Sequence, residues 1–412
     1  MANVWHCGFE TTTATNGYEY DAITGAGVSS VATPTHGSGT AAGAGDYGIR
    51  SVRVLHPVAA TSYFQHQFGV AGNTGTDWYM FTAVRWAVLP DAETVFFFIM
   101  NTLIGVHSIR ITTAGVIKLY REDTQAQVGS DGPALATDTW YWIGVAYAPS
   151  TGALTVYLCE QGQALLPVIT GTGNAGQATA RIRLGMFKID ATNVTGEVYF
   201  DDCVVNNSAG TTNNVIPQET FIPALRPNAA GDFNECSAGD WSAIDEAVPD
   251  EGVTLAILDA NGDRLDVNIE PFNFAFSHEL VKFAGVWSRS RAATAASESW
   301  RRRFKSQASG TLLEDAADIT HNDTTFRTNG DVAPLLPLVA QTDPQTAGLH
   351  LTYAKLAGAQ IGKRAVDAAP DIETTQMWLY VALSRGAVML NPAVVESVSA
   401  LGLVEGPLLK VA

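Results

Sequence analysis

Carboxylates offer the first chemistry to consider in this chain. Retaining glycoside hydrolysis needs an acid and a nucleophile ~5–5.5 Å apart, which a strand can supply from one face. Asp371-Ile372-Glu373 places two carboxylates two residues apart, and Glu197 precedes Asp201–Asp202 near a strand end. The histidines (His6, His36, His56, His66, His107, His278, His321, His350) are scattered, with no HExxH spacing to signal a metalloenzyme. Gly39–Asp46 is rich in glycine but no Lys-Ser/Thr follows, so it reads as a loop rather than a phosphate cradle. Cys7, Cys159, Cys203 and Cys236 form no CxxC and read as buried reduced thiols. A basic cluster, Arg289, Arg291, Arg301, Arg302, Arg303 and Lys305, is either a polyanion site or a strand face that meets acidic neighbours. Trp78, Tyr79 and Trp86 are either a sugar platform or core.

Strands must position these groups. Trp140–Leu158 reads as two strands around a Pro149–Gly152 turn, with Tyr141, Ile143, Val145 and Tyr147 on one face and Trp140, Trp142, Gly144 and Ala146 on the other. A strand apolar on both faces belongs inside a sandwich. About ten short strands with regular turn signals precede residue 208, and more follow residue 240. Low charge (16 %) with 38 glycines suits such an architecture, and 412 residues exceed one ordinary core. The expected fold is all-β: two β-sandwich (jelly-roll) domains in tandem with a C-terminal extension. The boundaries read as 1–208, a linker at 209–226, 227–384, and an arm at 385–412.

The net charge of −17 argues against a nucleic-acid surface. No secretory signal opens the chain, and the run Val95–Val106 is too short for a membrane helix, so no membrane partner is expected. Arg385–Ala412 is apolar and nearly uncharged, which predicts docking on a neighbouring subunit or back on its own domain.

Several stretches carry a family resemblance. Gly8-Phe9-Glu10, Trp140, Gly152–Tyr157 and Val198–Val205 together resemble the concanavalin A-like (laminin-G-like) jelly rolls of lectins, carbohydrate-binding modules and bacteriophage virion proteins. Ala224–Asn228, Ile244–Glu246, Val286–Arg291, Thr342–Thr346 and Gln360–Gly362 are similar to a domain of tailed-bacteriophage structural proteins. The resemblance implies a calcium ion held by Glu10 near the start and Asp202 on the last strand of the jelly roll, since hard oxygens suit that ion. Glucanases of this fold write Glu-x-Asp-x-Glu on one strand, a pattern missing here, so no enzyme is expected. The implied role is a non-enzymatic virion structural protein, either head decoration or a tail/fibre component, assembled in the host cytoplasm. Its expected partners are other virion proteins and further copies of itself, a trimer first. The alternative is a carbohydrate-binding receptor-recognition protein of the virion, with a host surface glycan as ligand.

Overall fold

The computed structural model describes residues 3–9, 20–36, 50–56, 61–68, 75–101, 104–187, 189, 194–209, 216–246, 251, 253–271, 279–294, 297–329, 337–346, 349–367 and 371–385. The chain is all-β, with antiparallel pairing throughout these residues. Sheet I runs in the order Leu166–Thr172, Ala153–Glu160, Trp140–Ala148, Trp78–Val88, Gly196–Asn207, Ser51–His56, Val28–Val31, and Asn3–Cys7 also pairs with Gly196–Asn207. Sheet II runs Ala126–Val128, Ile117–Arg121, Gly105–Ile111, Thr94–Met100, Arg181–Phe187, Ser62–Gln67, Ala22–Thr24. Sheet III is built on the long pair Glu279–Ala292 and Ile372–Arg385. Sheet IV holds Pro227–Asn234, Arg264–Ile269, Gln360–Ala365 and Glu298–Lys305 with two short edge strands.

The predicted hairpin sits inside sheet I. Tyr147 pairs with Leu154 and Ala148 with Ala153, and Gly152 closes the turn at φ 75°, a conformation other residues rarely adopt. Its two faces meet different partners. Tyr147 points into the sandwich and lies 4.8 Å from His107 of sheet II. Trp86 and Phe200 likewise meet Phe96 and Phe64 across the sheets. Trp142 points the other way, yet is fully buried, and its Nε1–H donates to the Pro217 carbonyl at 3.1 Å.

That second face of sheet I is covered by the chain's own second half. Phe283, Trp287, Trp378, Tyr380 and Ala382 of sheet III belong to one apolar core with the first sandwich. His6 lies 4.5 Å from Phe283 across this seam, and burial depresses its imidazole to about 3, so it packs as a neutral ring. Two glycines let the backbones approach. A Cβ on Gly285 would lie 2.2 Å from His6 Nε2, and one on Gly8 would lie 1.9 Å from the Ile222 carbonyl.

The stretch read as a linker does more than connect. Thr220–Phe221 and Ala224–Leu225 are hydrogen-bonded to Ile372–Arg385 as strands of sheet III. Its Asn/Thr/Pro composition hid two short pairing segments. Among the described residues of 345–355 the only element is the start of a single helical turn, Tyr353–Leu356. Among the described residues no helix is long and apolar enough to cross a membrane. Of the predicted arm, Arg385 ends the last strand, and 386–412 lie outside the described residues.

The seam predicts a sensitivity at Gly8. Gly8→Ala would drive a methyl into the Ile222 carbonyl and should cost about 1–3 kcal/mol, the usual penalty for overpacking. Urea denaturation should show the midpoint falling for both halves; a loss confined to residues 1–208 would mean the seam is not cooperative.

Candidate functional site

Of the two residues expected to hold calcium, Glu10 lies outside the described residues. Asp202 is fully described. It sits at a β-bulge in Gly196–Asn207, where the register with Trp78–Val88 slips between Asp201 and Cys203 and Asp202 takes φ 41°. Strict strand alternation would send Asp201 and Asp202 to opposite faces; the bulge lets both reach His36. The Asp201 carboxylate accepts the His36 backbone N–H at 2.8 Å, and Asp202 Oδ2 lies 2.7 Å from His36 Nδ1. Asp202 Oδ1 accepts the Ile222 N–H at 2.7 Å.

The other His36 nitrogen faces Glu219 Oε1 at 3.2 Å, and Glu219 also accepts the Gly162 N–H. Phe221 stacks on the imidazole at 4.6 Å. All four ionisable groups are buried. Burial alone would depress His36, but its bonds to Asp202 and Glu219 prevail and lift it to about 9. Burial, with the Asp202 charge added, pushes Asp201 well above the usual carboxylate range. Asp202 Oδ1 is thus taken by the Ile222 N–H, and Oδ2 lies at hydrogen-bond distance from the His36 ring. Sequence reading treated His36 as one of eight scattered histidines. Nothing local marked it, since its partners lie 166 and 183 residues away.

The remaining expected groups are distributed differently. Trp78 and Trp86 are core, and only Tyr79 of that trio is half-exposed. The basic cluster meets acidic neighbours: Arg291 with Glu373 at 2.6 Å, Arg301 with Asp318 at 2.6 Å, Arg302 with Asp315 at 2.9 Å and Arg303 with Asp266 at 3.1 Å. Arg289 pairs with Glu251, and Lys305 with Asp232 and Asp266. Asp371 and Glu373 lie on or beside the long strand of sheet III, where Glu373 is spent on Arg291. A Ser290–His321 pair at 2.9 Å resembles a nucleophile and its base, but both side chains are fully buried and no substrate reaches them.

The accessible polar site lies on the outer face of sheet II. Alternation along each strand sends Phe64, His66, Ile182 and Leu184 inward and Tyr63, Gln65, Gln67, Arg181 and Arg183 outward. A cleft of about 660 Å³ opens there, lined among others by Tyr63, Phe98, Arg110, Glu122, Arg183 and Phe187. Phe187 is sandwiched between Tyr63 at 4.8 Å and Phe98 at 5.5 Å, both stacked. The Arg183 guanidinium lies over the Tyr63 ring at 4.6 Å. Arg110, on the cleft floor, stacks 3.7 Å over Tyr120 and pairs with Glu122 at 3.3 Å and Glu93 at 3.7 Å. Sequence reading missed this face. Its signal was present as Gln65-His66-Gln67 and Arg181-Ile182-Arg183, identical polar residues two apart in otherwise apolar strands.

No family model matches the chain. No curated protein matches it. Among solved structures it is similar to a GH131 β-glucanase catalytic domain from Podospora anserina, at 12 % identity over 51 % of this chain and 97 % of that one, TM-score 0.33. It is similar to the catalytic domain of a glycoside hydrolase family 131 protein from Coprinopsis cinerea, at 14 % identity over 42 % and 75 %, TM-score 0.27. An alginate lyase from Corynebacterium sp. is similar at 13 % identity over 38 % and 77 %, TM-score 0.27. These neighbours correct two expectations. The role of a non-enzymatic virion structural protein is not carried forward, because the similar structures are carbohydrate-active enzymes and none of this shows a phage origin. The expectation of no enzyme falls with it. The physical reason is that the quoted residues, Trp140 and Gly152–Tyr157 above all, are hairpin and core residues, which report a scaffold and not its use.

The His36 cluster predicts a pH dependence. An unfolded histidine titrates near 6.5 and the folded one near 9, so the stabilisation is complete below 6.5 and is lost as pH rises through 9. It amounts to on the order of 3 kcal/mol. The melting temperature should fall between pH 7 and 9.5, and His36→Gln should flatten that slope; an equally steep slope in the variant would exclude His36 as its source.

Proposed function

We propose that this chain is a carbohydrate-active β-sandwich protein that seats a glycan in the cleft on the outer face of sheet II. The observation that carries the reading is the composition of that cleft. A row of three rings, Tyr63, Phe187 and Phe98, lies beside Arg183, Arg110, Glu122 and Gln125 in a space of about 660 Å³. Ligand sites of that volume combine apolar and aromatic walls with a few oriented polar groups. A pyranose has the matching chemistry, with an apolar C–H face for a ring and equatorial hydroxyls for carboxylate, amide and guanidinium groups.

The polar groups of the cleft are held rather than loose. Glu122 accepts from Ser108, Arg110 and Gln125, and Arg183 donates Nε–H to Gln65 at 2.8 Å. Such groups meet a ligand without first paying the ordering cost of free side chains. The fully buried His36 cluster offers no comparable access.

A glycan array probed with the intact chain, beside an assay for released reducing ends and unsaturated products, tests the reading. The protein should bind at least one glycan, and Tyr63→Ala with Phe98→Ala should weaken it roughly tenfold by removing two ring contacts. A folded protein that binds and turns over nothing on the array would refute it.

A further inference from the structure

We infer that the cleft and the strand face beside it read acidic glycans, with Arg183 at the cleft and Arg181 two residues along the same face receiving the carboxylates of uronic-acid residues. The inference rests on the reading of this face as a glycan site and adds its substrate class.

The two arginines differ from every other cation on the face in how they are held. Arg110 is neutralised by Glu93 and Glu122, and Lys118 pairs with Glu93 at 3.5 Å. Arg121 pairs with Asp123 at 2.9 Å. Arg181 and Arg183 are held by amides instead: Arg181 donates to Gln67 Oε1 at 2.8 Å and Arg183 to Gln65 Oε1 at 2.8 Å. Among the described residues neither has a carboxylate at ion-pair distance. Asp21 feels the Arg181 charge only from farther off, and its own oxygens serve the Gln67 N–H and His66.

In a chain of net charge −17, neutral partners for two adjacent arginines are conspicuous. A glutamine carbonyl orients a guanidinium without neutralising it, which leaves the fork aimed and its charge unspent. The two side chains also oppose each other. Burial and the neighbouring Arg181 charge both act to lower the Arg183 guanidinium. Two like charges on one strand face repel, and an anion bound between them would relieve that repulsion.

Geometry selects the kind of anion. Arg181 and Arg183 alternate with buried Ile182 on one strand, so two residues of rise, about 6.6–6.8 Å, separate their backbones. Planar guanidinium forks match carboxylates through paired hydrogen bonds, which an ammonium cannot copy. The Tyr63 ring lies under Arg183 and continues through Phe187 to Phe98, so a carboxylate on Arg183 brings its own sugar ring beside an aromatic wall. Charged sugars satisfy both halves of that site.

Titration calorimetry of the full chain with hexameric oligogalacturonate, hexameric oligomannuronate and a neutral β-glucan hexamer tests the inference. At least one uronate should bind roughly tenfold or more tightly than the neutral hexamer. Arg181→Gln with Arg183→Gln should abolish that preference while leaving the melting temperature within a few degrees of the parent. If the double variant does not fold, Arg183→Lys keeps the charge without the fork and should weaken the uronate alone. Equal affinity for neutral and acidic hexamers, lost in Tyr63→Ala, overturns the acid preference and leaves the glycan cleft standing. Binding of neither class removes the cleft reading and this inference together. A dT12 oligonucleotide that binds as tightly as the uronate, through the same arginines, overturns the inference in favour of a site that reads charge alone.

Discussion

The structure depends on one constraint: sheet I is apolar on both faces and must be covered twice. A sandwich covers a sheet once. Trp142, Phe81 and Gly144 on the far side of the central hairpin would meet water in an isolated jelly roll, at roughly 1.5–3 kcal/mol for each large side chain. The second half of the chain removes that exposure. Pro217 caps the Trp142 indole, and the aromatic residues of sheet III continue the core outward. The tandem arrangement is thus a consequence of the hairpin's sequence and not an accident of linkage.

The same seam explains where buried charge is tolerated. The bulge at Asp202 turns two carboxylates toward one histidine, just where Thr220–Phe221 leaves the first half to join sheet III. An uncompensated buried carboxylate is costly, so an imidazolium between Asp202 and Glu219 is the local solution. It also fixes the path of the crossing segment, because Glu219 and the Ile222 N–H are both held from the first half. Sheet IV repeats the solution with different chemistry: Asp266 lies between Arg303 and Lys305 in a strand that is mostly buried. Glycines at 8 and 285 permit the close approach of the two halves at the Ile222 carbonyl and the His6 ring.

How much of this was legible follows from range. The hairpin was readable because its register is local: eight consecutive pairs follow from one turn and one alternation. The all-β architecture was readable for the same reason. The bulge was not, because a register slip is set by the neighbouring strand, and it turns Asp202, which strict alternation would place beside Phe200, toward His36 instead. His36 was not, because its partners come from the last strand of the jelly roll and from the crossing segment. The strands at 220–225 were hidden by a composition typical of linkers. The cleft lay between these limits: the Gln-x-Gln and Arg-x-Arg alternations are visible in the sequence, but their adjacency needs the pairing of Arg183 with both Gln65 and Phe98.

The two sheets of the first sandwich therefore differ in what selection of residues they admit. Every outward position near the middle of sheet I is committed to the seam, and changing it costs folding. The outward positions of sheet II are not, because among the described residues no element packs over Tyr63, Gln65, Arg181 and Arg183. Aromatic rings on a wet face and arginines held by amides are poor choices for stability alone: single-charge pairs such as Arg121 with Asp123 would serve solubility better. Where packing leaves a face free and its residues still depart from what packing and solubility favour, the departure points to a ligand. That logic, and not the scaffold shared with other sandwiches, is what the proposed glycan cleft rests on.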